Sequence, residues 1–70
     1  MITIQEIHRY ILISSAGGAP EFYCPIYPQD GPMSSWVTKD GIPCFWCIAC
    51  NAKLFPSEQQ IEFIKSLLNP

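Results

Sequence analysis

Charge is scarce in this 70-residue sequence, which has only four Lys and Arg residues against six Asp and Glu residues and a net charge of -2. The cations are also dispersed, at Arg9, Lys39, Lys53 and Lys65. Proteins that bind nucleic acid concentrate basic side chains against the phosphate backbone. We therefore expect no nucleic-acid partner.

Long apolar runs are absent too. The run at residues 10–13 is shorter than the roughly 7–15 apolar residues of a signal peptide, and Glu6 precedes it. No stretch approaches the roughly 18 apolar residues of a membrane span. These absences predict a cytoplasmic protein without a membrane segment.

Histidine occurs once, as His8, which excludes a site built on several histidines. Carboxylates are sparse, and no nucleophile stands beside a base in the sequence. We therefore do not expect an enzyme. Seventy residues provide one small domain, 1–70, of a size at which a metal, disulfides or oligomerisation often supplement the core.

Both ends of the chain carry helix signals. Thr3 and Glu6 form a capping-box pattern, and the apolar spacing that follows predicts a helix over residues 4–13, although residues 10–13 also suit a strand. Near the C-terminus, Ser57 and Gln60 form a second capping box. An apolar stripe follows it, at Ile61, Phe63, Ile64, Leu67 and Leu68.

The middle of the chain is rich in proline, which excludes a helix there. Residues 34–47 predict a β-hairpin, with Asp40-Gly41 as a two-residue type I′ turn. Pro43 should confine its strand to a sheet edge. Seven aromatic residues surround the cysteines in the sequence, and we expect most of them in the core: Phe22, Tyr23, Tyr27, Trp36, Phe45, Trp46 and Phe55.

The four cysteines carry the main chemical signal. Cys44, Cys47 and Cys50 stand three residues apart, and Cys24 stands alone upstream. In a reducing compartment such thiols indicate a metal site or redox chemistry before disulfides, although free cysteine is also a common buried residue. The loop from Cys47 to Cys50 is the better chelating loop, because Asn51 after it tolerates the left-handed backbone conformation.

The segment WCIACNAKLF resembles the second knuckle of a zinc ribbon, and FYCPIY resembles a first knuckle in which Tyr27 replaces the second cysteine. The resemblance covers residues 22–55. It implies a structural Zn²⁺ on a β-hairpin scaffold, often used in macromolecular contacts. We expect Cys24, Cys44, Cys47 and Cys50 as ligands, with His8 as the alternative to Cys44.

Two rival interpretations remain open. The spacing C-x-x-C-x-x-C with a remote Cys-Pro also resembles the loop that binds a 4Fe-4S cluster, which would make the protein a small electron carrier. Alternatively, Cys44 and Cys47, or Cys47 and Cys50, could act as a redox dithiol.

Together these patterns predict an α+β fold, in which a small metal-stabilised domain places a β-hairpin zinc ribbon between an N-terminal and a C-terminal helix. The predicted function is a zinc-stabilised protein–protein interaction or regulatory module. Its partner would be another protein, with a homodimer as a further option.

Overall fold

The computed structural model describes residues 1–69 and shows a mixed helix-and-sheet domain. The domain contains two helices and a three-stranded antiparallel sheet, and a short 3₁₀ turn, Pro28–Asp30, lies in the first long loop. Neither helix of the described residues combines the length and apolar character needed to cross a bilayer. The helices and strands are α1 Ile4–Ser15, β1 Ser34–Val37, β2 Pro43–Trp46, β3 Lys53–Leu54 and α2 Glu58–Leu68.

Helix α1 begins at the predicted capping box. The Glu6 backbone N–H donates to Thr3 Oγ1 at 3.2 Å, and the Thr3 N–H donates to Glu6 Oε1 at 2.9 Å. The helix continues to Ser15, two residues beyond its predicted end, so the strand alternative for residues 10–13 was wrong. Gly17 then takes a φ of 87°, and the chain leaves the helix there.

Helix α2 confirms the second capping box, in which the Ser57 N–H donates to Gln60 Oε1 at 2.7 Å. Ile64 and Leu68 from its predicted stripe are buried, and Ile61 and Leu67 pack against the core. Phe63 is the exception, because it lies at the margin of the core and remains 45% exposed.

The predicted hairpin exists, but its turn is longer than expected. Val37 pairs with Pro43, and the Gly41 N–H donates to the Thr38 carbonyl at 2.8 Å. A type I′ turn needs positive φ at both central residues. Gly41 has a φ of 83°, whereas Asp40 is not among the positive-φ residues that the structure describes. The two-residue type I′ turn was therefore wrong.

Strand β2 is the central strand, which corrects the edge position expected from Pro43. β2 pairs with β1 on one side and with β3 on the other, but β3 is only two residues long and pairs with Phe45 and Trp46 alone. Pro43 is the first residue of β2, and no residue of β3 stands opposite it. A missing N–H is tolerated at this position because no ladder hydrogen bond depends on it.

The core lies where α1 packs against β1, β2 and α2. Ile7, Tyr10, Phe45 and Ile64 are almost completely buried there. The Tyr10 hydroxyl donates to the Pro20 carbonyl, so this buried polar group is satisfied. Most of the seven aromatic residues do not lie in this core, however, since four are exposed: Tyr23, Tyr27, Trp36 and Phe55. The expectation that most would be buried was wrong.

The helix α1 offers a matched test of this core. Ile7→Ala should destabilise the domain by about 2–5 kcal/mol, because Ile7 is fully buried. Leu12→Ala on the same helix should cost less than about 0.5 kcal/mol, because Leu12 is 57% exposed. Urea unfolding followed by circular dichroism measures both variants. Equal losses of stability would show that α1 does not pack on the sheet by the Ile7 face.

Candidate metal centre

Two loops supply a cluster of four potential ligands. Cys24 and Asp30 come from the loop between α1 and β1, with Asp30 ending the 3₁₀ turn. Cys47 directly follows β2, and Cys50 precedes β3. One ligand atom from each of these four residues lies within 4.8 Å of all the others, so the cluster could hold a metal ion.

The distances within the cluster suit a single ion. The sulfur atoms of Cys24 and Cys50 are 3.2 Å apart, and the Cys47 thiol lies 3.6 Å from Asp30 Oδ2. In a tetrahedral zinc site with metal–sulfur bonds of about 2.3 Å, neighbouring sulfurs stand about 3.8 Å apart. The donor atoms of the cluster therefore need only small shifts to surround one four-coordinate ion.

The loop from Cys47 to Asn51 is a tight turn closed by backbone hydrogen bonds. The Asn51 N–H donates to the Cys47 carbonyl at 2.8 Å, and the Cys47 N–H donates to the Ala52 carbonyl at 2.8 Å. Asn51 takes a φ of 66°, the left-handed conformation for which the sequence had favoured this loop. Its side-chain oxygen accepts a hydrogen bond from Trp46 Nε1 at 2.8 Å. The turn is thus tied to the end of β2.

The loop around Cys24 has a related feature. The Tyr27 backbone N–H points at the Cys24 sulfur, at 3.3 Å. Tyr27, which occupies the place of a second knuckle cysteine in the sequence, supplies this contact through its backbone. The oxygen atom of the cluster comes three residues later, from Asp30, whose N–H donates to the Tyr27 carbonyl at 2.9 Å. Gly31 follows with a φ of 91° and redirects the chain.

Cys44 lies outside the cluster of four, although the sequence analysis expected it as a ligand. It would reach the other thiols only if β2 bulged, but the strand pairs regularly with β1, with Cys44 opposite Trp36 and Phe45 opposite Ser35. Successive side chains of a strand point to opposite faces. Phe45 belongs to the main core and Cys44 does not, although Cys44 is fully buried.

The cluster also differs from the sequence prediction at two further residues, His8 and Asp30. His8 is exposed on α1 and is not part of the cluster. Asp30 was missed, because an isolated carboxylate in a turn is common without any metal. Asp30 follows Cys24 by six residues within a proline- and glycine-rich loop, a spacing that does not by itself point to a ligand.

The thiols of the cluster influence one another's protonation. Hydrogen bonding with Cys24 is the main cause that raises the pKa of Cys50 to about 11. Burial opposes ionisation of Cys24, but hydrogen bonds from the Tyr27 N–H and the Cys50 thiol outweigh it and lower the pKa of Cys24. Outside the cluster, burial raises the pKa of Cys44. Metal binding would have to displace the proton that Cys50 holds at neutral pH.

Comparison with protein-family models, with curated proteins and with solved structures finds no match to this chain. The function must therefore be argued from the geometry of the cluster.

Substitutions separate the four clustered residues from Cys44. Cys47→Ser and Cys50→Ser should each weaken zinc binding strongly, and Asp30→Asn should weaken it about ten-fold or more, a loss of at least about 1.4 kcal/mol. Cys44→Ala and His8→Ala should leave the affinity unchanged. Competition with a chromophoric chelator measures all five variants.

The opposite pattern would identify a different ligand set. If Cys44→Ala removed the metal while Asp30→Asn kept it, the ligands would be the four cysteines expected from the sequence. Circular dichroism of Cys44→Ala controls for a folding defect, because Cys44 is buried.

Proposed function

We propose that this chain is a small zinc-stabilised module that binds another protein. Zn²⁺ would be held by Cys24, Asp30, Cys47 and Cys50, in a zinc-ribbon-like arrangement of two loops. The observation that carries the proposal is the mutual proximity of the four donor atoms, all within 4.8 Å. Three thiolates and one carboxylate are ligands that Zn²⁺ accepts in tetrahedral geometry.

The compactness of the cluster favours one ion over an iron–sulfur cluster. In a 4Fe-4S cluster each thiolate binds a different iron atom, so the sulfurs stand farther apart than two bonds to one ion allow. Here Cys24 and Cys50 are 3.2 Å apart, which leaves no space for irons and sulfides between them. A carboxylate in the ligand set also supports zinc, since cysteine thiolates are the usual cluster ligands.

A structural role for the metal follows from the loop that contains Cys24 and Asp30. Residues 16–33 contain no helix longer than the three-residue 3₁₀ turn and no strand, only an isolated bridge between Tyr23 and Pro32. Such a loop loses conformational entropy on folding, and its apolar contacts through Phe22, Cys24 and Met33 offset part of the loss. Metal binding would offset it, because in small metal domains the free energy of binding is also free energy of folding.

A role in binding a protein is supported by the exposed apolar side chains on the same two loops. Ile26 is 61% exposed beside Cys24, and Ile48 is 68% exposed beside Cys47. Tyr27, also exposed, lies on the first loop. A metal that orders both loops would hold these side chains in place before a partner arrives, which reduces the entropy lost on binding. No cluster of positive charge accompanies them, which favours a protein partner over nucleic acid.

Chelation tests the metal part of the proposal. We expect native mass spectrometry of the purified protein to show a mass excess of one zinc ion. A strong chelator should then remove the ion and unfold much of the domain, with loss of the circular dichroism spectrum and recovery when zinc is added back. A mass excess matching an iron–sulfur cluster would favour the electron-carrier alternative. A full spectrum after confirmed metal loss would exclude a structural role.

Surface variants test the binding part. Ile26→Ser and Ile48→Ser should keep zinc and fold, since both side chains are exposed, but should weaken capture of the partner by the tagged protein. Leu12→Ser is the matched control, because Leu12 is similarly exposed but lies on α1. Sedimentation of the same three variants shows whether the partner is a second copy. Equal capture by all three would place the binding surface elsewhere.

A further inference from the structure

The two sulfur atoms that approach each other from different loops suggest an oxidation site. Cys24 and Cys50 are 26 residues apart in the sequence, and their sulfurs lie 3.2 Å apart. A disulfide bond is about 2.05 Å long, so the pair would need to close by about 1.1 Å to form one. All four cysteines are present as free thiols.

The Cys47 sulfur also lies within 4.8 Å of the Cys24 and Cys50 sulfurs, but it has a hydrogen-bond partner in Asp30. The Cys47 thiol donates to Asp30 Oδ2 at 3.6 Å, while the backbone on both sides of it is held by the closed turn with Asn51 and Ala52. The obvious redox pair in the sequence is Cys47 and Cys50, which form a C-x-x-C motif. In the folded chain, however, Cys50 has a partner in Cys24 and Cys47 has one in Asp30.

Exposure distinguishes the thiol that an oxidant would reach first. Cys50 is only partly buried, whereas Cys24 is 1% exposed and Cys47 is 4% exposed. The neighbouring Ile48 and Ala49 are exposed as well. Thiols react with peroxide according to their accessibility as well as their thiolate character. When zinc holds both sulfurs as thiolates, exposure decides the order: Cys50 is the thiol for first attack, and Cys24 is the one that resolves the product.

We propose that Cys24 and Cys50 are a site of reversible oxidation, at which a peroxide forms a disulfide and releases the metal. The Cys50 thiolate attacks one oxygen of hydrogen peroxide, the O–O bond breaks, and a sulfenic acid and one hydroxide form. The Cys24 thiolate then attacks the Cys50 sulfur, the S–S bond forms, the S–O bond breaks, and a second hydroxide leaves. Two electrons pass from the two sulfurs to the peroxide.

The release of zinc on oxidation rests on the proposed function. The pairing of Cys24 with Cys50 does not rest on it. Once Cys24 and Cys50 are joined, only Cys47 and Asp30 of the four ligands remain. Two ligands do not hold Zn²⁺ in a structural site, which needs four. Oxidation would therefore release the ion and loosen the two loops that carry Ile26 and Ile48. A cellular thiol would restore the site by disulfide exchange.

Digestion with trypsin distinguishes a disulfide between Cys24 and Cys50 from one between Cys47 and Cys50. It cuts after Lys39 and Lys53, so Cys24 leaves in peptide 10–39, and Cys44, Cys47 and Cys50 leave together in peptide 40–53. Zinc-loaded protein is treated with hydrogen peroxide, its free thiols are alkylated, and the digest is analysed by mass spectrometry. A chromophoric chelator measures released zinc in the same sample. We expect a cross-link between the two peptides, formed in proportion to the zinc released.

Cysteine variants identify which sulfur of peptide 40–53 is joined to Cys24. The cross-link should persist in Cys44→Ala, and it should vanish in Cys50→Ser. A peptide 40–53 that has lost two hydrogens without any cross-link would show a disulfide within the Cys44–Cys50 segment and overturn the pairing. Zinc release with no disulfide would overturn it equally.

Metal-free protein distinguishes failure of this inference from failure of the proposed function. If the chain binds no zinc but peroxide still links Cys24 to Cys50, the pairing stands and the zinc module fails. If zinc binds normally and stays bound at a peroxide concentration that oxidises the metal-free protein, the zinc module stands and the oxidative release fails.

Discussion

Four potential donor atoms from two loops meet in one small cluster, in which each lies within 4.8 Å of the others. Three thiols and a carboxylate repel one another once they ionise, because none of the four side chains carries a positive charge. Without a cation the thiols must keep protons, and the hydrogen bond between Cys24 and Cys50 shows this sharing, since the pKa of Cys50 rises to about 11. A divalent ion would replace those protons and turn repulsion into attraction toward a common centre.

The core is continuous from the helices to the cysteine cluster. Around Tyr10 and Phe45, apolar burial holds α1 on the sheet and α2 on α1. Cys24 and Cys47 belong to the same buried core, although the chain around Cys24 has little regular structure. A domain of 70 residues has a limited core, so a coordinate bond at the cysteine cluster would complement the apolar packing.

The parts of the fold that the sequence predicted are those governed by local interactions. Thr3 and Ser57 mark helix starts through hydrogen bonds that reach only three residues along the chain. Asn51 marks the Cys47–Cys50 turn in the same way, through its own backbone conformation. The assignment of Asp30 depends instead on the path of a long loop, since its partner Cys47 is 17 residues away. Cys44 was chosen for its proximity in sequence, but the alternation of a regular strand separates adjacent side chains onto opposite faces.

The two tryptophans have a consequence for how this protein can be observed. Trp36 and Trp46 lie with their ring centroids 4.6 Å apart, at an interplanar angle of 38°. The indole N–H of Trp46 is bonded to Asn51, the residue that closes the Cys47–Cys50 turn. The chain contains no other tryptophan, so its indole fluorescence comes from this one tilted pair beside the turn. Indole emission therefore reports on the end of the sheet next to the cysteine cluster, and the helices contribute no indole signal of their own.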